Sequence, residues 1–348
     1  MSNMKDLAIR HSNNPILSPE NVSPSSAEMV VECVLNPGVF IFNNKIWLLV
    51  RVAERTVQNT GEVTVPIYNE EGGLKMLKFK SNDLKLNKED PRVINYNGTD
   101  YLTTISHLRL FYSEDGSTFH ESGNLFGAGK YESYGIEDCR VSQIENTYYL
   151  SYTAVSSHGV SVGLQTTTNW TDFKRHGLIL PPHNKDCALF TSKIHGKYYA
   201  LHRPSSPEIG GNYLWLAESP DGLHWGNHKC IAKTRQGKFD SKRLGAGASP
   251  IKTPHGWLEI YHGATETNRY CLGALLLDLN DPSIVIARSE EPIMEPLELY
   301  EKEGFLGNVV FTNGHIVKDD EIIIYYGASD QYVCQAKFSI NDILKHLT

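Results

Sequence analysis

Long apolar runs are missing from this chain. No stretch of about 18 apolar residues occurs in its 348 residues, so no membrane-crossing helix is expected. The opening segment, MSNMKDLAIRHSNNPILSPENV, contains no apolar core of the signal-peptide kind. The expected compartment is the cytoplasm, with the periplasm left open for a mature chain. An excess of basic charge is missing too: 33 Lys and Arg face 40 Asp and Glu, a net charge of −7. Nucleic acids and membrane surfaces bind basic patches, so neither is an expected partner. Cysteine is sparse. Cys33, Cys139, Cys187, Cys230, Cys271 and Cys334 form no Cys-x-x-Cys pair, which excludes a zinc knuckle or a dense disulfide framework. Free, mostly buried thiols are expected instead. There is no GxSxG, HExxH, Walker loop or GxGxxG opening a helix. His107 and His262 are too isolated to make a metal site, and no metal or organic cofactor is expected. Helical periodicity is confined to SINDILKHL (339–347), with Ser339 or Asn341 as its cap.

What remains is strand. Val, Ile, Tyr, Phe and Trp alternate with polar residues between Gly, Asn and Asp turns. One unit recurs, a polar or proline-containing start, a short strand, a turn and an aromatic-rich strand. It begins near residues 36, 90, 137, 185, 247 and 308, and Asp90, Asp138 and Asp186 are spaced 48 residues apart. A period near 50 residues with several strands per repeat is the signature of a β-propeller. Six starts, with first and last segments sharing a blade, predict an all-β, five-bladed β-propeller with a short C-terminal helix. Residues 1–348 are read as one domain.

Propellers bind ligands where the innermost strands begin. Asn36, Asp90, Glu137, Asp138, Asp186 and Ser249 stand at those starts and suit a hydroxyl-rich ligand. A carboxylate near a second carboxylate can hold its proton at neutral pH and act as a general acid. Glu137 and Asp138 are adjacent in an extended chain, so alternation lets only one face the axis. The rival reading makes both part of a salt bridge between blades with Arg140. Lys185, Arg203, Lys252 and His262 fall at matching places of later units and could hold phosphate. Of the aromatics Trp47, Trp215, Trp257, Tyr261, Tyr325 and Tyr326, at least half are expected in the core.

The stretches NPGVF with RVAER, SHLRL, GIEDCR with YTA, NKDCALF with LHRP, GAGASPIKT with GWLEIYHG, and NVVFTNG with YYGASD run in order from about residue 15 to 340. As a set they resemble glycoside hydrolase family 130, the mannoside phosphorylases and mannosidases, a family with a five-bladed propeller. The resemblance implies that Asp138, in the family's GxEDPR motif, is the catalytic acid. Its proton passes through a sugar hydroxyl, and phosphate or water attacks with inversion. EDPR at 89–92 matches the tetrapeptide better but lacks the following YTA. Cys139 replaces the motif's proline, and Lys185 stands where phosphorylases tend to carry arginine. Glu218 and Glu259 become candidate bases, with Glu208 nearby, because a hydrolase needs a carboxylate to activate water. Asn36, Arg51, Arg55, Arg109, Glu137, Arg140, Asp186, Tyr261 and Asp330 are expected to bind sugar.

RVAER and SHLRL look most like the β-1,2-mannoside branch. The reading is therefore an inverting β-1,2-mannosidase acting on manno-oligosaccharides, with a homo-oligomer permitted. Its alternative is a β-mannoside phosphorylase, for β-1,2- or β-1,4-linked sugars. That enzyme would use inorganic phosphate held by Lys185, Arg203, Lys252 and His262 to release mannose 1-phosphate. A non-catalytic carbohydrate-binding propeller is the third possibility.

Overall fold

The computed structural model describes residues 6–90, 92–126, 129–205 and 209–347. Among these, nearly all regular secondary structure is antiparallel strand, most of it organised in five successive four-stranded units. The first contains Met29–Phe42, Lys45–Thr56, Thr104–Ser113 and His120–Phe126. The second runs Gly135–Ile144, Thr147–Ser156, Gly159–Thr167 and Lys174–Leu180, and one parallel pair, Gly135 with Ser106, links it to the first. The third is Asn184–Leu189, Tyr198–Pro204, Leu214–Ser219 and Gly226–Ala232.

In the fourth unit the leading strand is split. Arg243–Gly245 and Ile251–Thr253 both pair with Gly256–Ala264, followed by Tyr270–Leu277 and Val285–Arg288. The fifth comprises Val310–Lys318, Glu321–Ala328 and Tyr332–Ser339, and is completed by Ile9–Arg10 from the other end of the chain. No sheet closes on itself, but Met29–Phe42 packs against both Gly135–Ile144 and Val310–Lys318.

The core lies between units. Alternating strands carry apolar residues on both faces, so each unit must be covered twice. Met29, Phe40, Leu49, Ile105, Ile136 and Leu150 fill the seam between the first and second units. Ile144, Val162, Leu189 and Ala200 fill the next. Leu258, Ile260, Val310, Ile322 and Ile324 join the fourth and fifth, while Val34, Leu48, Phe111, Tyr325 and Val333 join the fifth to the first. Each such Leu, Ile or Phe contributes about 1.5–3 kcal/mol on full burial. Trp257, Tyr261, Tyr325 and Tyr326 are core, as the alternation required, and the six cysteines are free, with only Cys230 partly exposed.

One expectation changes. The repeat near residue 90 does not begin a unit. Leu86–Asp90, Val93–Tyr96 and Thr99–Leu102 form a separate small sheet, which with the hairpin Glu62–Tyr68 and Leu74–Lys80 is inserted between paired strands Lys45–Thr56 and Thr104–Ser113. A short hairpin has the same local signature wherever it docks, so the count of six starts was one too many. The side chain of Asp90, and Glu208, lie outside the described residues. Near the C-terminus, Ile340–His346 is helical, and Ser339 is the cap, its Oγ accepting from the Asp342 N–H at 3.1 Å. No helix among the described residues is long and apolar enough to cross a membrane.

Candidate active site

Three units begin with the same backbone device. Asn36, Asp138 and Asp186 have φ of 46°, 46° and 55°. This is the left-handed region, which Asn and Asp tolerate because their short polar side chains bond locally. Each sits in a bulge, where pairing slips between Leu35 and Gly38, Glu137 and Arg140, and Lys185 and Ala188. A bulge sets two residues against one and re-aims a side chain. Strict alternation is therefore suspended, and Glu137 and Asp138 both border one cavity, contrary to the expectation that only one could.

That cavity measures about 150 Å³. On its acidic side, Arg51 forks between two carboxylates, Nη2 donating to Glu137 Oε1 at 2.8 Å and Nη1 to Asp138 Oδ1 at 3.1 Å. Its Nε donates to Ser106 Oγ at 3.0 Å. Asn36 Nδ2 also donates to Asp138 Oδ1, at 3.0 Å. Burial pushes the Asp138 carboxyl up, but Arg51, Lys185, Asn36 and Arg140 together outweigh it and hold the group below its usual value. The proton expected on Asp138 is thus absent from the resting site. The raised carboxyl is Asp330, which burial and the charges of Asp138 and Glu137 push to about 6.

The basic side is organised by Asp186. Its Oδ2 lies 2.8 Å from Arg203 Nε and 3.3 Å from His262 Nε2, and its Oδ1 3.3 Å from Arg140 Nη2. Burial opposes ionisation of Asp186, yet Arg203, His262 and Arg140 hold its carboxyl well below the usual range. Burial lowers the His262 imidazole despite Asp186, so at neutral pH it is an uncharged member of this group. Lys185 and Arg243 also line the cavity, and neither has a carboxylate at ion-pair distance among the described residues. Arg243 Nη1 donates to Tyr270 Oη at 3.1 Å, and its buried Nε has no hydrogen-bond partner among the described residues. Tyr270 and Phe311 supply apolar wall.

Several expected site residues lie elsewhere. Arg140 is 1 % exposed, and its guanidinium donates to the carbonyls of Asp138 in the second unit and Ala246 and Gly247 in the fourth at 2.8–2.9 Å, and with its contact to Asp186 in the third it clasps three units together. Arg109 is buried against His107 Nε2 (2.9 Å) and the Ser23 carbonyl (2.7 Å). Tyr261 points away from its neighbour His262 and donates to Asp240 at 2.7 Å. Lys252 is exposed over the Trp257 ring, because the split strand carries it away from the cavity.

Neither candidate base reaches the cavity. Glu218 accepts from Lys197 Nζ at 2.7 Å near the surface. Glu259 is fully buried, accepts from the Gly247 N–H at 2.8 Å, and has its carboxyl pushed well above the usual value by burial. Ser249 meets Ser142 Oγ at 2.6 Å in the core. Arg55 borders a second cavity of about 520 Å³, which shares Asp330 with the first. Arg243, Tyr270 and Phe311 escaped the sequence reading. Arg243 had one usable signal, a cation leading the fourth unit as Lys185 leads the third.

Asp330 yields a stability prediction. Its folded value of about 6 exceeds the unbound 3.8, so between these the folded state holds more protons than the unfolded. Stability then falls as pH rises through that window, and the deficit is complete above it. Asp330→Asn is expected to unfold at higher urea than the parent at pH 8, by about 1–3 kcal/mol, with the gain shrinking towards pH 4. A gain or loss independent of pH would show that Asp330 does not carry this proton.

The sequence model of glycoside hydrolase family 130, described as beta-1,4-mannooligosaccharide phosphorylase, matches residues 106–348. A beta-1,2-mannobiose phosphorylase of Listeria innocua serovar 6a is 43% identical over 346 residues, covering 97% of this chain and 98% of the relative. A 1,2-beta-oligomannan phosphorylase of Thermoanaerobacter sp. (strain X514) is 43% identical over 244 residues, 69% of this chain and 80% of the relative. The solved complex of the Listeria innocua beta-1,2-mannobiose phosphorylase with beta-1,2-mannobiose matches with a TM-score of 0.93 and 42% identity, over 98% of this chain and 99% of that one.

Proposed function

Because this chain belongs to glycoside hydrolase family 130, we propose that it is a phosphorylase of β-1,2-linked mannosides, using inorganic phosphate to release mannose 1-phosphate. The observation that carries the reading is the pair Lys185 and Arg243, two cations lining a small cavity and, among the described residues, locked in no ion pair. Cations left out of direct ion pairs in a confined pocket are available to an anion, and Arg with Lys suits phosphate oxygens. Arg203 and His262, held by Asp186, complete this side. The hydrolase first expected from the sequence gives way. Its candidate bases Glu218 and Glu259 are outside the cavity, and the relatives above carry phosphorylase names.

In the proposed reaction the mannosyl ring occupies the 150 Å³ cavity beside Arg51, Asn36 and Asp138. A phosphate oxygen attacks the anomeric carbon from the basic side. The glycosidic C–O bond breaks as the new C–O–P bond forms with inversion. The leaving oxygen takes a proton from Asp138 through a sugar hydroxyl, and the incoming hydrogen phosphate restores that proton over the cycle. Asp138 rests ionised, so the proton must be loaded when substrates displace water and screen Arg51. Phosphate is nucleophilic enough to need no base. The five units are read as the blades of one propeller domain, with this cavity where the leading strands begin.

The test is product analysis of β-1,2-mannobiose incubated with and without phosphate. Mannose 1-phosphate and mannose in equal amounts, formed only with phosphate, are expected. Free mannose alone, at a rate indifferent to phosphate, would make the enzyme a mannosidase.

A further inference from the structure

We infer that Phe305 is a stacking platform for the third sugar of a β-1,2-linked manno-oligosaccharide, counted from the ring in the inner cavity, and that chains of three or more residues are preferred over the disaccharide. The inference rests on the mannoside reading above and adds chain length to it. Asp330 lines both the inner cavity of about 150 Å³ and the outer one of about 520 Å³, which places the two side by side. If the inner space takes one ring, the outer has room for at least two more. Its lining is of two kinds, apolar at Phe305, Leu306 and Val63 and polar at Arg55, Gln58 and Thr104. Pyranose rings present the same two kinds of surface, C–H faces and hydroxyl edges.

Phe305 is 46% exposed, and no ring packs against it among the described residues. Exposed apolar side chains are common and need no explanation when they sit on yielding loops. This one does not. The Leu306 N–H donates to the Ser329 carbonyl at 2.9 Å, and the buried Ser329 Oγ lies 2.7 Å from the Tyr300 carbonyl and 2.9 Å from that of Glu303. Ser329 immediately precedes Asp330, so the segment bearing Phe305 is stapled to a residue both cavities share. A phenyl ring carried on a tethered backbone and left bare beside a cleft leaves less ordering for binding to supply than one on a loose loop.

Initial rates with β-1,2-mannobiose and mannotriose, for the parent and Phe305→Ala, test this. The parent is expected to show kcat/KM about fivefold to tenfold higher on the trisaccharide, a stacking-sized effect. Phe305→Ala should erase that difference and leave the disaccharide rate within about twofold of the parent. Equal parental values for the two sugars, or an equal loss on both in the variant, would overturn the inference. Calorimetric titration with mannotriose in the absence of phosphate reads the platform without chemistry, and Phe305→Ala should weaken it about fivefold. Weakened binding beside absent phosphorolysis would refute the phosphorylase reading and support the platform. Unchanged binding would remove the platform whatever the reaction proves to be.

Discussion

Asp138→Asn is expected to lower turnover of β-1,2-mannobiose by about 10²–10⁴-fold, the usual contribution of a positioned general acid. Binding of the disaccharide should stay within about threefold of the parent. The substitution is clean for a backbone reason. At φ 46° the left-handed conformation is needed, and Asn adopts it as readily as Asp. Asn also keeps an oxygen for the contacts from Asn36 Nδ2 and Arg51 Nη1. What it loses is the ability to carry and release a proton. Initial rates with calorimetric binding separate the two effects. Full activity in the variant would take Asp138 out of the reaction and point to Asp330, the cavity carboxyl whose value is raised.

The second large effect is on stability. Arg140→Met is expected to destabilise the fold by about 3–5 kcal/mol, because it strips one partner from a buried charge network. Three carbonyls, of Asp138, Ala246 and Gly247, lose their guanidinium donor, and Asp186 Oδ1 loses its 3.3 Å contact. Arg140→Lys should recover little, since one ammonium cannot serve acceptors spread over three directions. Urea unfolding at pH 7 measures both variants. A loss below about 1 kcal/mol for Arg140→Met would mean that the clasp between units contributes little. Any folded fraction should also turn over slowly, because Arg140 holds the backbone of Asp138 and the carboxylate of Asp186 in one frame.

Much of the fold was legible because period-two alternation and turn residues are local. The terminal helix was foreseen at 339–347 and found at Ile340–His346 with its Ser339 cap. The site was legible where a polar residue leads a unit. Asn36, Asp138, Lys185 and Asp186 do meet in one cavity with Arg51, Arg203 and His262, and with Asp330 from the turn between the second and third strands of the fifth unit. The failures share a cause. Alternation gives a residue's side of the strand only until a bulge resets the phase, which is why Glu137 joins Asp138 at the cavity. In the fourth unit the leading strand is broken in two, so Lys252 was placed at a mouth that Arg243 occupies. Arg140, Arg109 and Tyr261 have the composition of ligand-binding residues, but their partners are carbonyls and carboxylates far away in sequence. No local pattern records those.

The fifth unit draws strands from both ends of the chain. Ile9 and Arg10 pair with Lys337 and Ala336, the Ile16 N–H donates to the Val333 carbonyl at 2.9 Å, and that of Val34 to Gln331 at 3.1 Å. During synthesis on the ribosome the early segment therefore waits for its partner through some 300 intervening residues. Until Tyr332–Ser339 has emerged, the apolar faces of Val34, Leu48 and Val50 stay uncovered by Tyr325 and Val333. The seam between the fifth and first units is the last of the five to be made, and the early strands stay open to wrong pairing until it is.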